Sequence, residues 1–167
     1  YDQPFPESGH DTFIGRPDFI LFEGWCVGAV PEPVSALDTP VNDLERLEDR
    51  DGKWRRYVNR RLAEYQPLFE AINALAMLKA PSFEKVYEWR ALQEKELERR
   101  LSSSELQNSR ILGHEELNRF LMHYERLTRW MLREMPNRAD FVFELADKHA
   151  IAKINANVNT LGPVNTI

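Results

Sequence analysis

The run Phe19-Ile-Leu-Phe22, followed by Glu23-Gly24-Trp25-Cys26-Val27-Gly28, constrains what this chain can fold into more than any other stretch. Four apolar residues lead into a single carboxylate, and a glycine then stops the run. The pattern predicts a buried parallel strand over residues 18–22 whose C-terminal end presents one acid. In open α/β sheets, ligands collect beyond the carboxyl ends of the strands. Glu23 is therefore a candidate for ordering a divalent cation or activating a hydroxyl. The alternative is a core strand that ends in a surface glutamate.

Elsewhere the chain alternates helical and extended patterns. Residues 1–17 hold three prolines and two glycines and read as a loop leading to the first strand. Thr39 then Pro40 predicts a helix N-cap and first helical residue, with Val41, Leu44 and Leu47 on one face and Asp51-Gly52 as the stop. A second helix is expected from about Lys53 to Tyr65, with Trp54, Tyr57, Val58, Leu62 and Tyr65 as its apolar stripe. Ala74-Leu-Ala-Met-Leu78 reads as a second buried strand. Ser82 N-caps a helix running to about Leu101, and the polar residues 102–113 form a loop. A long helix is predicted over about 115–135, with Leu117, Phe120, Leu121, Tyr124, Leu127, Thr128 and Met131 facing inward. A strand pair at 141–145 and 150–154 follows, and residues 155–167 form a loose tail. Strands alternating with helices imply an α/β domain on a parallel sheet. A length of 167 residues fits a single domain over residues 1–167.

The net charge of -5 argues against nucleic-acid partners, which call for a basic face. No apolar run approaches the ~20 residues that span a bilayer, so no membrane partner is expected. Cys26 is the single cysteine, so no intrachain disulfide forms, and a chain without such a framework fits the cytoplasm.

The charged residues divide by context. Arg55, Arg56, Arg60 and Arg61 read as a solvated helix face, with a phosphate patch as the alternative. Arg99 and Arg100 end a helix just before the Ser-rich loop that carries Arg110. Arginines so placed suit a lid over polyphosphate, because each guanidinium offers bidentate, permanently charged donors. Cations also favour helix C-termini through the dipole. Arg90 follows Trp89 on an aromatic helix face and needs a specific partner, unless its stem packs and its head reaches water. Arg126 and Arg129 lie near His123 and face either the same cleft or solvent. The four histidines show no metal-ligand spacing. Gly52-Lys53 is the only Gly-Lys pair; Trp54 follows it, and Leu47 stands where a P-loop requires glycine, so these residues contain no P-loop.

Four blocks carry a resemblance: Phe22-Glu-Gly-Trp-Cys-Val-Gly28, Pro40-Val-Asn-Asp-Leu-Glu45, Trp89-Arg90 with Gln93-Glu94, and His123-Tyr-Glu-Arg-Leu-Thr-Arg-Trp130. With them, residues 18–154 resemble the D-glycerate 3-kinase-like P-loop kinases, which are related to pantothenate kinase, uridine kinase and phosphoribulokinase. The resemblance implies an α/β fold: a partial P-loop kinase-like parallel sheet flanked by helices, with a helical lid region. It implies ATP-dependent phosphoryl transfer to a small-molecule hydroxy acid, D-glycerate first, with ATP and Mg²⁺ as cofactors. Under it Glu23 is the catalytic and Mg²⁺-ordering carboxylate. Arg90, with Arg99, Arg100 and Arg110 from the lid region, meets the nucleotide phosphates, and Asp2 and Arg126 meet the substrate. Tyr1-Asp2 matches the tail of a family motif in which Lys comes next, whereas Gln3 stands here.

The family's first strand, P-loop and following helix precede the Phe-Glu-Gly-Trp block, and these residues do not include them. The chain is expected to be the C-terminal portion of a longer kinase, inactive alone. A two-chain kinase, or a non-catalytic binding or assembly module that kept the fold and lost the nucleotide site, are the alternatives. A half-sheet leaves apolar edges exposed, so association with the missing P-loop half or with another copy is expected.

Overall fold

The computed structural model describes residues 14–100 and 112–157. A 3₁₀ turn at Val34–Asp38 leads into helices α1 (Asp43–Leu47), α2 (Lys53–Glu64) and α3 (Gln66–Glu70). Strand β1 (Ala76–Lys79), the long helices α4 (Phe83–Arg100) and α5 (His114–Glu134), and strands β2 (Phe141–Leu145) and β3 (Ile151–Ala156) complete the order. The three strands form one sheet in the order β1-β2-β3. β1 runs parallel to β2, with Met77 opposite Val142, and β3 is antiparallel to β2. The expected parallel sheet thus holds for β1 and β2 and fails for β3. Only residues 146–150 join β2 to β3, too few for the crossover a parallel pair requires.

One face of the sheet is packed. Met77 and Val142 join Leu62 of α2, Met131 of α5, and Met135 and Ala139 beyond it in one core. A second cluster joins α4 to α5 through Phe83, Leu117 and Leu121. The stripe expected on α5 is the one it buries: Leu117, Leu121, Thr128 and Met131 all point inward. Ser82 accepts from the amide of Lys85 at 3.3 Å, as an N-cap should.

Three expectations fail. Residues 18–22 are not a strand. Phe19 and Leu21 are more than nine-tenths exposed, and Ile20 is 79% exposed. A strand needs a neighbour to take its backbone hydrogen bonds, and among the described residues no strand pairs with this run. The helix after Pro40 starts later, capped by Asn42, whose side chain accepts from Glu45 N. The same side chain donates to Met122 O and Glu125 Oε2 on α5, and this tertiary tie outweighs the local Thr-Pro signal.

The stripe on α2 is reversed. Trp54, Tyr57, Val58 and Tyr65 are exposed and only Leu62 is buried among those five. The inward residues are Arg55, Asn59 and Leu62 of α2 and Gln66, the first residue of α3, which also recur at helical spacing. Each polar member fixes the segment before α2: Arg55 Nε donates to Leu37 O at 2.6 Å, Asn59 exchanges two bonds with the Glu32 backbone, and Gln66 donates to Ala29 O. Arg55, expected on a solvated face, is buried against Asp49 at 3.0 Å. Arg56 and Arg61 pair with Asp38 and Glu64, as solvated-face residues do.

Candidate functional site

The Gly24-to-Val30 loop is held tightly although the run before it is exposed. Trp25 stacks on Tyr124 with ring centroids 5.0 Å apart, and its indole N–H donates to Thr128 Oγ1 at 3.0 Å. Trp130 donates to Val30 O at 2.9 Å, and Arg138 donates to Gly28 O. Gly28 has φ +73°, and a Cβ there would lie 2.9 Å from the Leu75 side chain, so only glycine suits this close approach to the start of β1.

Pinned in this way, Trp25 forms one wall of a cleft of about 460 Å³. Trp89, Arg90 and Gln93 of α4 form another wall, and His149 at the tip of the β2–β3 hairpin closes a side. The hairpin tip is docked on α4. Trp89 donates to Asp147 O at 2.9 Å, and its ring lies 4.1 Å from that of His149. His149 holds φ 60°, uncommon outside glycine. Two segments more than 60 residues apart in sequence, Trp25 and the Trp89-Arg90-Gln93 block, therefore meet at one concave surface.

Arg90 points its guanidinium at Gln93 Oε1, 2.7 Å away, and at Glu94 Oε1, 2.6 Å away. Glu94 is buried and also accepts from the Leu112 amide. These contacts orient the guanidinium on the cleft wall, and a five-donor fork has capacity for an anion besides. Glu23 is exposed and lies two residues before Trp25, so the chain keeps it within about 7 Å of that wall. Arg99 and Arg100 are exposed in the last turn of α4. They continue the helix face that carries Leu92, Gln93 and Glu96, but stand roughly 14 Å along the axis from Arg90. Asp2 and Arg110 lie outside the described residues.

Arg126 is turned away from the cleft. Its Nε and Nη2 reach Glu45 Oε1 and Oε2 at 2.7 and 2.6 Å. Nη2 donates to Thr39 O at 2.6 Å and Nη1 to Ala36 O at 3.2 Å, and Glu32 Oε2 lies 3.5 Å from Nη1. Arg129 bonds Glu84 and Glu125 and lies over the Phe83 ring. The Arg129 bond comes first among the causes that pull the Glu84 carboxyl down to about 2. Cys26 is half-buried, and burial pushes its thiol up, which disfavours a reactive thiolate.

Two participants escaped sequence reading. His149 was legible only as part of a turn, since nothing in Asp147-Lys148-His149 signals a docked ring. Trp25 was part of a quoted block, but its wall-forming role depends on Tyr124 and Thr128, about 100 residues away in sequence.

A complete site for ATP and Mg²⁺ does not fit the described residues. Among them no cluster of three or more His, Cys, Asp or Glu side chains could hold a metal ion. Gly52 has φ +65° and begins α2, and Lys53 faces Asp51, so this pair forms no phosphate cradle. Among the described residues no helix is long and apolar enough to cross a membrane.

No family model matches the chain. A curated relative, an uncharacterized kinase (mug58) of Schizosaccharomyces pombe, is 34% identical over 106 residues, 64% of this chain and 35% of that protein. A solved structure, D-glycerate 3-kinase from Cryptococcus neoformans var. grubii, superposes with a TM-score of 0.66 at 18% identity. The superposition covers 85% of this chain and 51% of the solved one. The chain therefore spans about half the length of that structure and about a third of the curated relative. The glycerate-kinase-like resemblance carried by the four blocks is met by the same fold over most of the chain.

Proposed function

We propose that this chain forms one side of the active site of an ATP-dependent phosphotransferase acting on the hydroxyl of a small hydroxy acid, with D-glycerate the first candidate. The observation that carries the reading is the convergence of Trp25, two residues after Glu23, and the Trp89-Arg90-Gln93 block on one cleft, in a chain with the fold of a D-glycerate 3-kinase. A cleft of about 460 Å³ lies in the range of small-molecule sites. Phosphoryl transfer is mostly positioning and charge neutralisation. In this reading Arg90 faces a phosphate or carboxylate, Glu23 works on the metal side, and Arg99, Arg100 and Arg110 approach from the lid. Arg126 ties α5, on which Trp25 is stacked, to Glu32 and Glu45, and Asp2 is a further candidate for the substrate. ATP and Mg²⁺ would be held jointly with further polypeptide, because the described residues lack a cradle for them.

The lack of a metal cluster among the described residues favours one second reading, a binding or assembly module that kept this fold without the chemistry. The coding sequence upstream of Tyr1 separates the two. The kinase reading requires an apolar strand there followed by Gly-x-x-x-x-Gly-Lys-Ser/Thr. Given that segment, the extended protein should consume ATP with D-glycerate, and Glu23→Gln should lower turnover by at least about 100-fold without unfolding the chain. Near-normal turnover in Glu23→Gln removes Glu23 from the mechanism. Inactivity on D-glycerate with activity on another hydroxy acid removes only the substrate, and inactivity on all leaves the module reading.

A further inference from the structure

The β2–β3 hairpin holds a residue that its backbone does not favour. The loop is Asp147-Lys148-His149, closed by the Ala146 amide on Ala150 O at 2.8 Å and by the His149 amide on Ala146 O at 3.0 Å. A three-residue hairpin loop of this kind is a type I turn followed by a left-handed residue, a place that suits glycine. Histidine stands there instead, at φ 60°. A side chain at such a φ costs free energy that the turn itself does not return. The ring lies 4.1 Å from that of Trp89. Other contacts dock the hairpin as well: Trp89 donates to Asp147 O at 2.9 Å, and Lys85 Nζ lies 3.8 Å from the Asp147 carboxylate. What the ring adds is a donor at the cleft. His149 is exposed and lines the cleft with Trp25 and Arg90. Among the described residues neither of its ring nitrogens has a hydrogen-bond partner. Arg90, on the same cleft, keeps N–H groups beyond those on Gln93 and Glu94. Glu96, the one acid among the lining residues, stands about 9 Å along α4 from Arg90.

We propose that His149 is an anion-contacting residue of the cleft, donating a ring N–H beside Arg90 to an oxyanion of a reactant, either a nucleotide phosphate or the carboxylate of the hydroxy acid. The proposal rests on the phosphotransferase reading of this cleft and adds to it a second donor, from a different segment of the chain. The two donors differ in kind. Arg90 brings a permanent charge on a helix, and its guanidinium is already oriented by Gln93 and Glu94. His149 brings a single N–H from a hairpin tip, aimed by the ring contact with Trp89 and by the left-handed backbone. Strain kept at a ligand contact is a trade of stability for function. The competing role is docking alone, in which the ring serves only to hold the hairpin on α4.

The test titrates tripolyphosphate and D-glycerate, separately, into the chain and into a longer form carrying its native upstream coding sequence, and follows the His149 ring and Arg90 side-chain signals by NMR. At least one probe should shift both signals with a common Kd, and the probe that does so tells a phosphate from a carboxylate. His149→Phe keeps a ring on Trp89 and keeps the backbone strain, but has no nitrogen. It should weaken that probe by at least about 10-fold, with Tm within about 3 °C of the parent. His149→Gly removes ring and strain together and should lose as much affinity, with Tm falling by no more than about 3 °C. In the longer form, His149→Phe should raise KM for the matching reactant by at least about 10-fold. His149→Phe at parent affinity for both probes overturns the proposal and leaves the docking role. So does the absence of any shift at His149 with either probe up to about 10 mM in both forms. If the longer form phosphorylates no hydroxy acid while a probe still shifts His149 and Arg90 together, the phosphotransferase reading falls and the anion contact stands. Turnover by His149→Phe with both KM values unchanged keeps that reading and removes His149 from the site.

Discussion

Arg126→Met tests whether Arg126 belongs to the fold or to a ligand. Only 11% of its side chain is exposed, and Glu45 and Glu32 are 9% and 5% exposed. Methionine fills much of the same volume but removes the bidentate pair to Glu45 and the donors to Thr39 O and Ala36 O. Removing one partner of a buried pair strands the other charge, which costs about 3–5 kcal/mol. At about 3 °C per kcal/mol for a chain of this size, Tm should fall by about 9–15 °C. Arg126→Lys keeps the charge without the fork and should lose less. The double variant Arg126→Met with Glu45→Met removes both ends and should recover at least half the loss, because the cost lies in the orphaned carboxylate. Glu32 adds a pH signature. Burial already raises its pKa, with Arg126 the first opposing influence, so losing Arg126 raises it further. A carboxyl raised in the folded state contributes stability at low pH that is lost as pH rises through its folded pKa. The deficit of Arg126→Met should therefore be smaller near pH 5 than at pH 7. Urea melts of the four proteins at both pH values decide it. A loss under about 1 kcal/mol, or a double variant no better than the single one, refutes the structural role of the network.

Acid should act through Glu84. Its carboxyl is lowered from 4.5 to about 2, first by the Arg129 hydrogen bond, so its stabilisation is full above 4.5 and lost as pH falls from there toward 2. The Glu84 side chain is 61% exposed, so the pair is worth under about 1 kcal/mol; Tm against pH for Glu84→Gln should show a shallower fall in that window, and 0.5 M salt should shrink the difference. Gly28→Ala forces an alanine to φ +73° and a Cβ against Leu75, which should cost about 2 kcal/mol. Near-UV circular dichroism should report a loosened Trp25 environment, and an unchanged spectrum with unchanged Tm would mean that the loop is not held by this approach.

What the sequence disclosed follows from where the deciding contacts lie. α5 was legible because its inward stripe, from Leu117 to Met131, is apolar and meets an apolar partner. α2 carries two helical stripes, one aromatic and one polar, and periodicity favours the aromatic one. The polar one turned inward because Arg55, Asn59 and Gln66 satisfy backbone groups of residues 29–37, which no local pattern records. Trp89-Arg90 was legible as a block, but the cleft it shares with Trp25 and His149 comes from packing between distant segments.

The failed strand at residues 18–22 is the most instructive of these outcomes. Its sequence is that of a strand buried on both faces, which is how strands of a parallel sheet read. In the fold it is exposed, and among the described residues the outer edge of β1 pairs with no strand. A sequence records the environment in which a segment is buried, whichever chain supplies the neighbours. Among the described residues, the apolar run has no sheet beside it and the outer edge of β1 has no strand. The pinned Gly24-to-Val30 loop shows that the run ends at a fixed place, beside Trp25 and the cleft. Whatever packs on residues 19–22 would therefore also set where Glu23 stands relative to Trp25 and the cleft.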